Sequence, residues 1–231
     1  MKVFSISDLH LSINCNKPMN IFGPVWEGHF EKIKADWLQK VTEEDVVLIA
    51  GDISWAMTLE ESQADLDLIS TLPGKKIITR GNHDYWWKSI TSVRNLLKPN
   101  MFALQNDSIK LGSNIICGTR GWTVPEDTFK DEHDEKIYHR EVLRLEMSLK
   151  SAQTNRTEGD KLFCMIHYPP YNSRFESNDF TELLEKYKVD YVIYGHLHGK
   201  CGRYNFVLER NGIKYFLTSC DKLENKLVEI K

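Results

Sequence analysis

Six short apolar runs punctuate the chain: Val3 to Ile6, Val46 to Ala50, Lys76 to Thr79, Ile115 to Cys117, Leu162 to Ile166 and Tyr191 to Tyr194. Each is rich in Val and Ile and stops at a polar or Gly-containing turn, the pattern of buried strands. Between many of them the apolar spacing changes to that of helices. Phe30, Ile33, Trp37 and Val41 share one helical face, as do Tyr138, Val142, Leu145 and Leu149, and Phe180, Leu183, Leu184 and Tyr187. Thr58 and Glu61 have the spacing of a capping box for a helix running to about Leu72. Alternation of strand and helix reads as α/β. Near the end, Tyr204 to Glu209 and Ile213 to Thr218 flank Asn211-Gly212, a hairpin signal. The sheet system is therefore expected to be mixed (α+β in its C-terminal part), within one domain spanning residues 1–231.

The residues that follow these runs carry the chemistry. The first run leads to Asp8-Leu9-His10, the second to Gly51-Asp52, and the third to Gly81-Asn82-His83-Asp84. Leu162 to Ile166 ends at His167, and Tyr191 to Tyr194 at Gly195-His196-Leu197-His198. Ligand sites in α/β folds lie beyond the carboxyl ends of strands, so these side chains can converge at one rim. The glycines before Asp52, Asn82 and His196 allow close backbone approach. Carboxylate oxygen, amide oxygen and imidazole nitrogen suit first-row ions such as Mn, Fe or Zn, and the thiolates of a structural zinc site are missing. Asp8, His10, Asp52, Asn82, His167, His196 and His198 are too many for one tetrahedral ion; two divalent ions sharing a carboxylate would use them all.

Composition bounds the remaining classes. Lys and Arg total 30 against 33 Asp and Glu, a formal charge of -3, so no basic patch for nucleic acid or anionic membrane is expected. Five cysteines, Cys15, Cys117, Cys164, Cys201 and Cys220, without a Cys-x-x-Cys, argue against a disulfide framework. With no signal peptide and no apolar run of membrane length, a cytoplasmic location is the expectation. No P-loop or Gly-rich dinucleotide motif supports a metal-independent nucleotide binder. The stretch from Thr119 to Glu132 reads as a surface loop.

The series Asp8-x-His10, Gly51-Asp52, Gly81-Asn82-His83-Asp84, His167 and Gly195-His196-x-His198 resembles the calcineurin-like metallophosphoesterases. The resemblance implies a four-layer αββα sandwich, two mixed β-sheets flanked by helices, with a di-metal centre at one edge. It implies Asp8, His10 and His198 on one ion, Asn82, His167 and His196 on the other, and Asp52 between them. His83 would sit beside the phosphate as the catalytic acid, with Asp84 orienting it. Gly51-Asp52 is not followed by the Asp-Arg-Gly of phospho-Ser/Thr phosphatases, and Trp55 stands where purple acid phosphatases place an iron-binding Tyr. The small phosphodiesterase-type members are the nearer likeness. The expected activity is hydrolysis of a small-molecule phosphate ester, probed first as a diester, by a metal-bound hydroxide. The alternatives are a phosphomonoesterase or protein phosphatase on the same site, and a non-catalytic metal-binding scaffold. Nucleic acid remains a possible substrate.

Aromatics crowd the same loops: Trp55, Tyr85, Trp86, Trp87, Trp122, Tyr168 and Tyr171, with Trp26 and His29 after the first strand. Trp55, Tyr85 and Tyr168 are candidate substrate contacts, and at least one of Trp86 and Trp87 is expected in the core. Among Arg80, Arg120 and Arg174, Arg120 is the best placed to meet phosphate, because it follows a strand within Gly118-Thr119-Arg120-Gly121-Trp122.

Overall fold

The computed structural model describes residues 1–199 and 205–231. Cys201 and the expected strand start at Tyr204 lie outside the described residues. The chain runs β1 (Val3–Ser5), α1 (His29–Lys40), β2 (Val46–Ile49), α2 (Leu59–Ser70), β3 (Lys75–Ile78), α3 (Ile90–Leu96), β4 (Met101–Ala103). It continues with β5 (Ser108–Leu111), β6 (Asn114–Thr119), α4 (Glu132–Asn155), β7 (Lys161–Ile166), α5 (Asp179–Lys186) and β8 (Tyr191–Tyr194). The hairpin β9 (Val207–Arg210) and β10 (Ile213–Leu217) and a short β11 (Val228–Glu229) complete it.

Two mixed sheets result. One has the order β11-β1-β2-β3-β4, the other β5-β6-β7-β8-β10-β9. β1 to β4 are parallel, as are β6, β7, β8 and β10, while β11, β5 and β9 run antiparallel at edges. Antiparallel pairing thus also occurs in mid-chain, at the β5–β6 hairpin, and not only near the C-terminus as expected. Asn211 and Gly212 both take positive φ, 51° and 78°, as the tight β9–β10 turn requires.

Side-chain alternation along the strands assigns the layers. On β2, Val46 and Leu48 face the second sheet, whereas Val47 and Ile49 join the cluster with Ile33 and Trp37 of α1 and Leu66 and Ile69 of α2. On β7, Phe163 and Met165 meet those residues between the sheets, whereas Leu162, Cys164 and Ile166 pack on Leu145 and Leu149 of α4 and Phe180 of α5. Both faces of each central strand are buried, which is why the runs read as continuously apolar. Helices lie outside two facing sheets, as the resemblance implied. Trp86 and Trp87 are both core residues, 0% and 1% exposed.

Two polar devices hold these layers in place. The end of β1 joins the sheets: Ser7 N donates to Thr218 O (2.7 Å), Cys220 N donates to Ser7 O (3.0 Å), and Ser7 Oγ accepts from Ala50 N (2.9 Å). Lys76 is wholly buried on β3 and turns its ammonium onto the end of α2 and the turn after it, donating to Ser70 O (3.4 Å), Leu72 O (2.6 Å) and Gly74 O (2.8 Å). The last turn of α2 has no basic residue of its own, and its carbonyls lack intrahelical donors. Burial lowers the Lys76 pKa to about 8. Thr58 and Glu61 form the expected reciprocal cap of α2, which ends at Ser70.

Candidate metal centre

The parallel strands of both sheets end at one rim, and the turns beyond them carry the polar residues singled out above. The backbone there is unusual. Asp8, His10, Asp52 and His196 have φ of 59°, 46°, 52° and 70°, left-handed values that cost a non-glycine residue about 1–3 kcal/mol each. Glycines make room between them. A Cβ on Gly81 would lie 2.1 Å from Asp52 Oδ1, and one on Gly195 2.3 Å from Asp8 Oδ2. Gly51 passes so close to Gly81 and His167 that a Cβ would meet both at 2.7 Å. The turns are bent so that their side chains share one small volume.

Two groups form there. Asp8, His10 and His198 each bring a ligand-type atom within 4.8 Å of the others, and so do Asp52, His167 and His196. Within the first, His10 Nε2 is 3.3 Å from His198 Nε2, and His198 Nε2 is 3.4 Å from Asp8 Oδ1. The second gathers around Asn82 Oδ1, which is 2.7 Å from His167 Nε2 and 2.9 Å from His196 Nδ1. Asp52 Oδ2 lies between the groups, 3.4 Å from His167 Nε2 and 3.9 Å from His10 Nε2. All seven residues flagged from the sequence are therefore brought together. The imidazoles are held so that one nitrogen faces inward: His167 Nδ1 donates to Ala50 O (2.9 Å), and His198 Nδ1 to Asp221 Oδ1 (2.8 Å). Such outer partners fix a ligand's tautomer. The donor set fits two divalent ions of the oxygen- and nitrogen-loving kind.

Charge within the ion-free cluster is uneven. Burial pushes His10 and His196 down to about 4, so both are neutral at pH 7. Burial also acts against protonation of His167 and His198, but Asp52 and Asp8 around the first, and Asp8 and Asp221 around the second, raise them to about 9 and about 10. Burial alone would raise Asp52, yet His167 and His10 bring it well below the ordinary carboxylate value. In the ion-free cluster the carboxylates thus favour the protonated form of His167 and His198.

Asp84 requires a correction. It does not touch His83 through its carboxylate. Fully buried, it accepts from the backbone N–H of Asp52 (2.9 Å), Ile53 (2.9 Å), Ser54 (3.2 Å) and Gly81 (2.8 Å) and from Trp86 Nε1 (3.0 Å). The left-handed turn at Asp52 points those amides inward, so the carboxylate ties two rim loops together. Burial and the nearby Asp52 charge raise its pKa to about 6. His83 Nδ1 is buried without a hydrogen-bond partner, and the His83 N–H donates to Asp52 Oδ1 (2.8 Å).

The aromatic candidates divide. Trp55 stacks on His10 at 4.8 Å and lies 4.6 Å from His83. With Met19, Phe22 and Trp26 it walls a cavity of about 410 Å³ over His10, His83 and His198. Tyr85 is exposed and edge-on to His83 (6.2 Å). Tyr168 covers His196 at 4.2 Å and is buried, with Trp122 at 5.2 Å. Arg120 does not line the cavity over the centre; it stacks on Trp122 (4.8 Å) and faces the buried Glu141 (3.6 Å). Arg174 is engaged by Glu126, Asp127 and Glu176. That pairing, with Ser173 on Glu126, fastens the 119–132 loop to the segment after β7.

Sequence reading missed Asp221 and the role of His29. Asp221 follows Cys220 after β10 and has no motif of its own; only the pairing of β10 beside β8 puts it next to His198. His29 contacts Leu9 O (2.8 Å) and Trp26 O (3.2 Å), which seats the Met19–Trp26 segment against the rim.

The model of the family described as calcineurin-like phosphoesterase matches residues 1–200. No curated protein matches the sequence. Among solved structures, the TT1561 protein of Thermus thermophilus is similar at 13% identity and a TM-score of 0.63, covering 99% of this chain and 97% of that one. A phosphopantetheinyl hydrolase from Mycobacterium tuberculosis is similar at 12% identity and 0.58, covering 99% and 95%. A protein of unknown function from Aquifex aeolicus is similar at 17% identity and 0.51, with the same coverage. At these identities the likeness is one of fold.

Two outcomes are expected from the geometry. Asp84→Ala should cost roughly 3 kcal/mol or more in denaturant unfolding of the ion-free chain, since a charged acceptor of several buried N–H groups is removed. Unchanged stability would mean that Asp84 only orients a neighbour. Metal loading near pH 7 should release about two protons, from His167 and His198, because a bound imidazole must be neutral. Apparent affinity should then rise with pH up to about 9 to 10, where those groups are already neutral. Calorimetry in buffers of different ionisation enthalpy reads this directly; release near zero would refute the assigned charges.

Proposed function

From the premise that this chain belongs to the calcineurin-like phosphoesterase family, we propose that it is a binuclear-metal phosphoesterase acting on phosphodiesters. The observation that carries the reading is the position of Asp52 Oδ2 between the two three-residue groups. Asp8, His10 and His198 would hold one ion, Asn82, His167 and His196 the other, and Asp52 both. Bound there, the ions would supply an acidified water and positive charge against the phosphoryl oxygens.

The chain's own groups have distinct tasks. Asn82 keeps its amide oxygen toward His167 and His196, and Asp84 holds the loop that carries it. His83 lines the cavity over the centre and is the chain's candidate proton carrier for the leaving oxygen. Burial is the main cause that holds its pKa below the ordinary imidazole value in the ion-free chain. Met19, Phe22, Trp26 and Trp55 offer an apolar wall for an ester group. Lys17 Nζ lies 5.2 Å from the Trp55 ring. A diester, which carries a second organic substituent, gives these apolar walls a group to contact. The protein-phosphatase and scaffold alternatives draw no comparable support from the site.

With Mn²⁺ added, kcat/KM for bis-p-nitrophenyl phosphate should exceed that for p-nitrophenyl phosphate by about tenfold or more, equivalent to about 1.4 kcal/mol of barrier. The reverse preference would make the protein a monoesterase. His83→Ala should retain both metals by elemental analysis while losing about a hundredfold to ten-thousandfold in turnover. The loss should be larger for an alkyl leaving group than for p-nitrophenolate, which needs no proton. Equal losses for the two would remove His83 as proton donor.

A further inference from the structure

A second cavity, of about 230 Å³, lies at the same rim but contains none of the residues of the metal centre. Its charge is unexpected for a chain with a formal net charge of -3. Arg80, Lys88, Arg120, Arg140 and Arg144 line it against a single acid, Glu141. That acid is already engaged: it accepts from Thr119 Oγ1 (2.8 Å) and Arg144 Nη1 (2.7 Å) and lies 3.6 Å from Arg120 and Arg140. The positive charge is therefore far from neutralised. Two donors are also unspent, because Arg80 Nε and Arg120 Nε are buried with no hydrogen-bond partner. Buried donors are normally satisfied, and both of these belong to residues that line the cavity. Asn106 Oδ1, on the same wall, is an orphaned acceptor that suits the O–H of a hydrogen phosphate.

We propose that this cavity is a phosphate-binding site separate from the metal centre. Guanidinium forks match phosphate oxygens in geometry and charge. The volume is below that of ordinary small-molecule pockets, so it suits one phosphate group rather than a whole ligand. Its place connects it to the centre. Arg80 immediately precedes Gly81-Asn82, and Arg120 O accepts from the N–H of Tyr168, the neighbour of His167 (3.1 Å). A phosphate held there is either a second phosphate of the substrate or a free anion. Only the first of these rests on the phosphodiesterase reading.

The direct test is titration of the full-length chain with inorganic phosphate, read on the arginine side-chain Nε–H resonances, with Arg80→Lys used to assign its signal. The Arg80 and Arg120 resonances should shift together, and Arg80→Gln should weaken binding by about tenfold or more. Thermal unfolding and metal content of Arg80→Gln should match the parent. A kinetic arm compares thymidine 5′-(p-nitrophenyl phosphate) with and without a 3′-phosphate. If the 3′-phosphate lowers KM in the parent but not in Arg80→Gln, the occupant is a substrate phosphate. If the resonances shift but KM gains nothing, the occupant is a free phosphate anion. Unmoved resonances, or phosphate affinity unchanged in Arg80→Gln, overturn the proposal. Absence of turnover with the resonance shifts intact would count against the phosphodiesterase reading alone.

Discussion

The rim depends on one buried carboxylate. Asp84 gathers amides from the turn after β2 and from the turn after β3 onto two oxygens. Without an acceptor at that point, four inward-facing N–H groups would be buried unpaired, a state folded proteins avoid. The arrangement fixes the left-handed turn at Asp52, and the turn sets where Asp52 Oδ2 lies relative to His10 and His167. Close passage of Gly51 by Gly81 is the steric half of the same device. Packing of the sheets brings the strand ends near one another; this carboxylate sets the final positions of the two turns.

Strain and electrostatics at the rim share one origin. Several turns must deliver short side chains to one small space, so Asp8, His10, Asp52 and His196 adopt backbone angles that regular strands and helices never need. The same crowding places four imidazoles and two carboxylates largely out of water. Protons on His167 and His198 balance that charge in the ion-free chain. Divalent ions would balance it better, which is the physical reason such a cluster is worth its cost in a folded protein.

Much of this was legible in the sequence because the signals are local. Strands buried on both faces show as unbroken Val and Ile runs, and the polar residue after each run marks the rim. Thr58 with Glu61, and Asn211 with Gly212, encode their cap and turn within four residues. Long-range features were not legible. β4 and β11 are short and add to sheet edges, so their pairing depends on strands elsewhere along the chain, whereas β5 pairs locally with β6 but is short and only partly buried, so no apolar run marks it. Asp221 serves His198 only because β10 pairs with β8. Asp84 looked like a partner for the adjacent His83, yet the turn sends its carboxylate the other way, toward the amides of Asp52 and Ile53 far upstream. Net charge concealed the arginines near Glu141, since composition averages over surfaces that the fold separates.

The lysine beneath α2 has a different consequence. Lys76 keeps its amine against the carbonyls of Leu72 and Gly74, out of contact with solvent. Acylating reagents reach such a nitrogen only when the helix lifts from its strand. Its rate of labelling, set against that of the exposed lysines, is a built-in gauge of how often the first sheet's helical cover opens while the rest of the molecule stays closed.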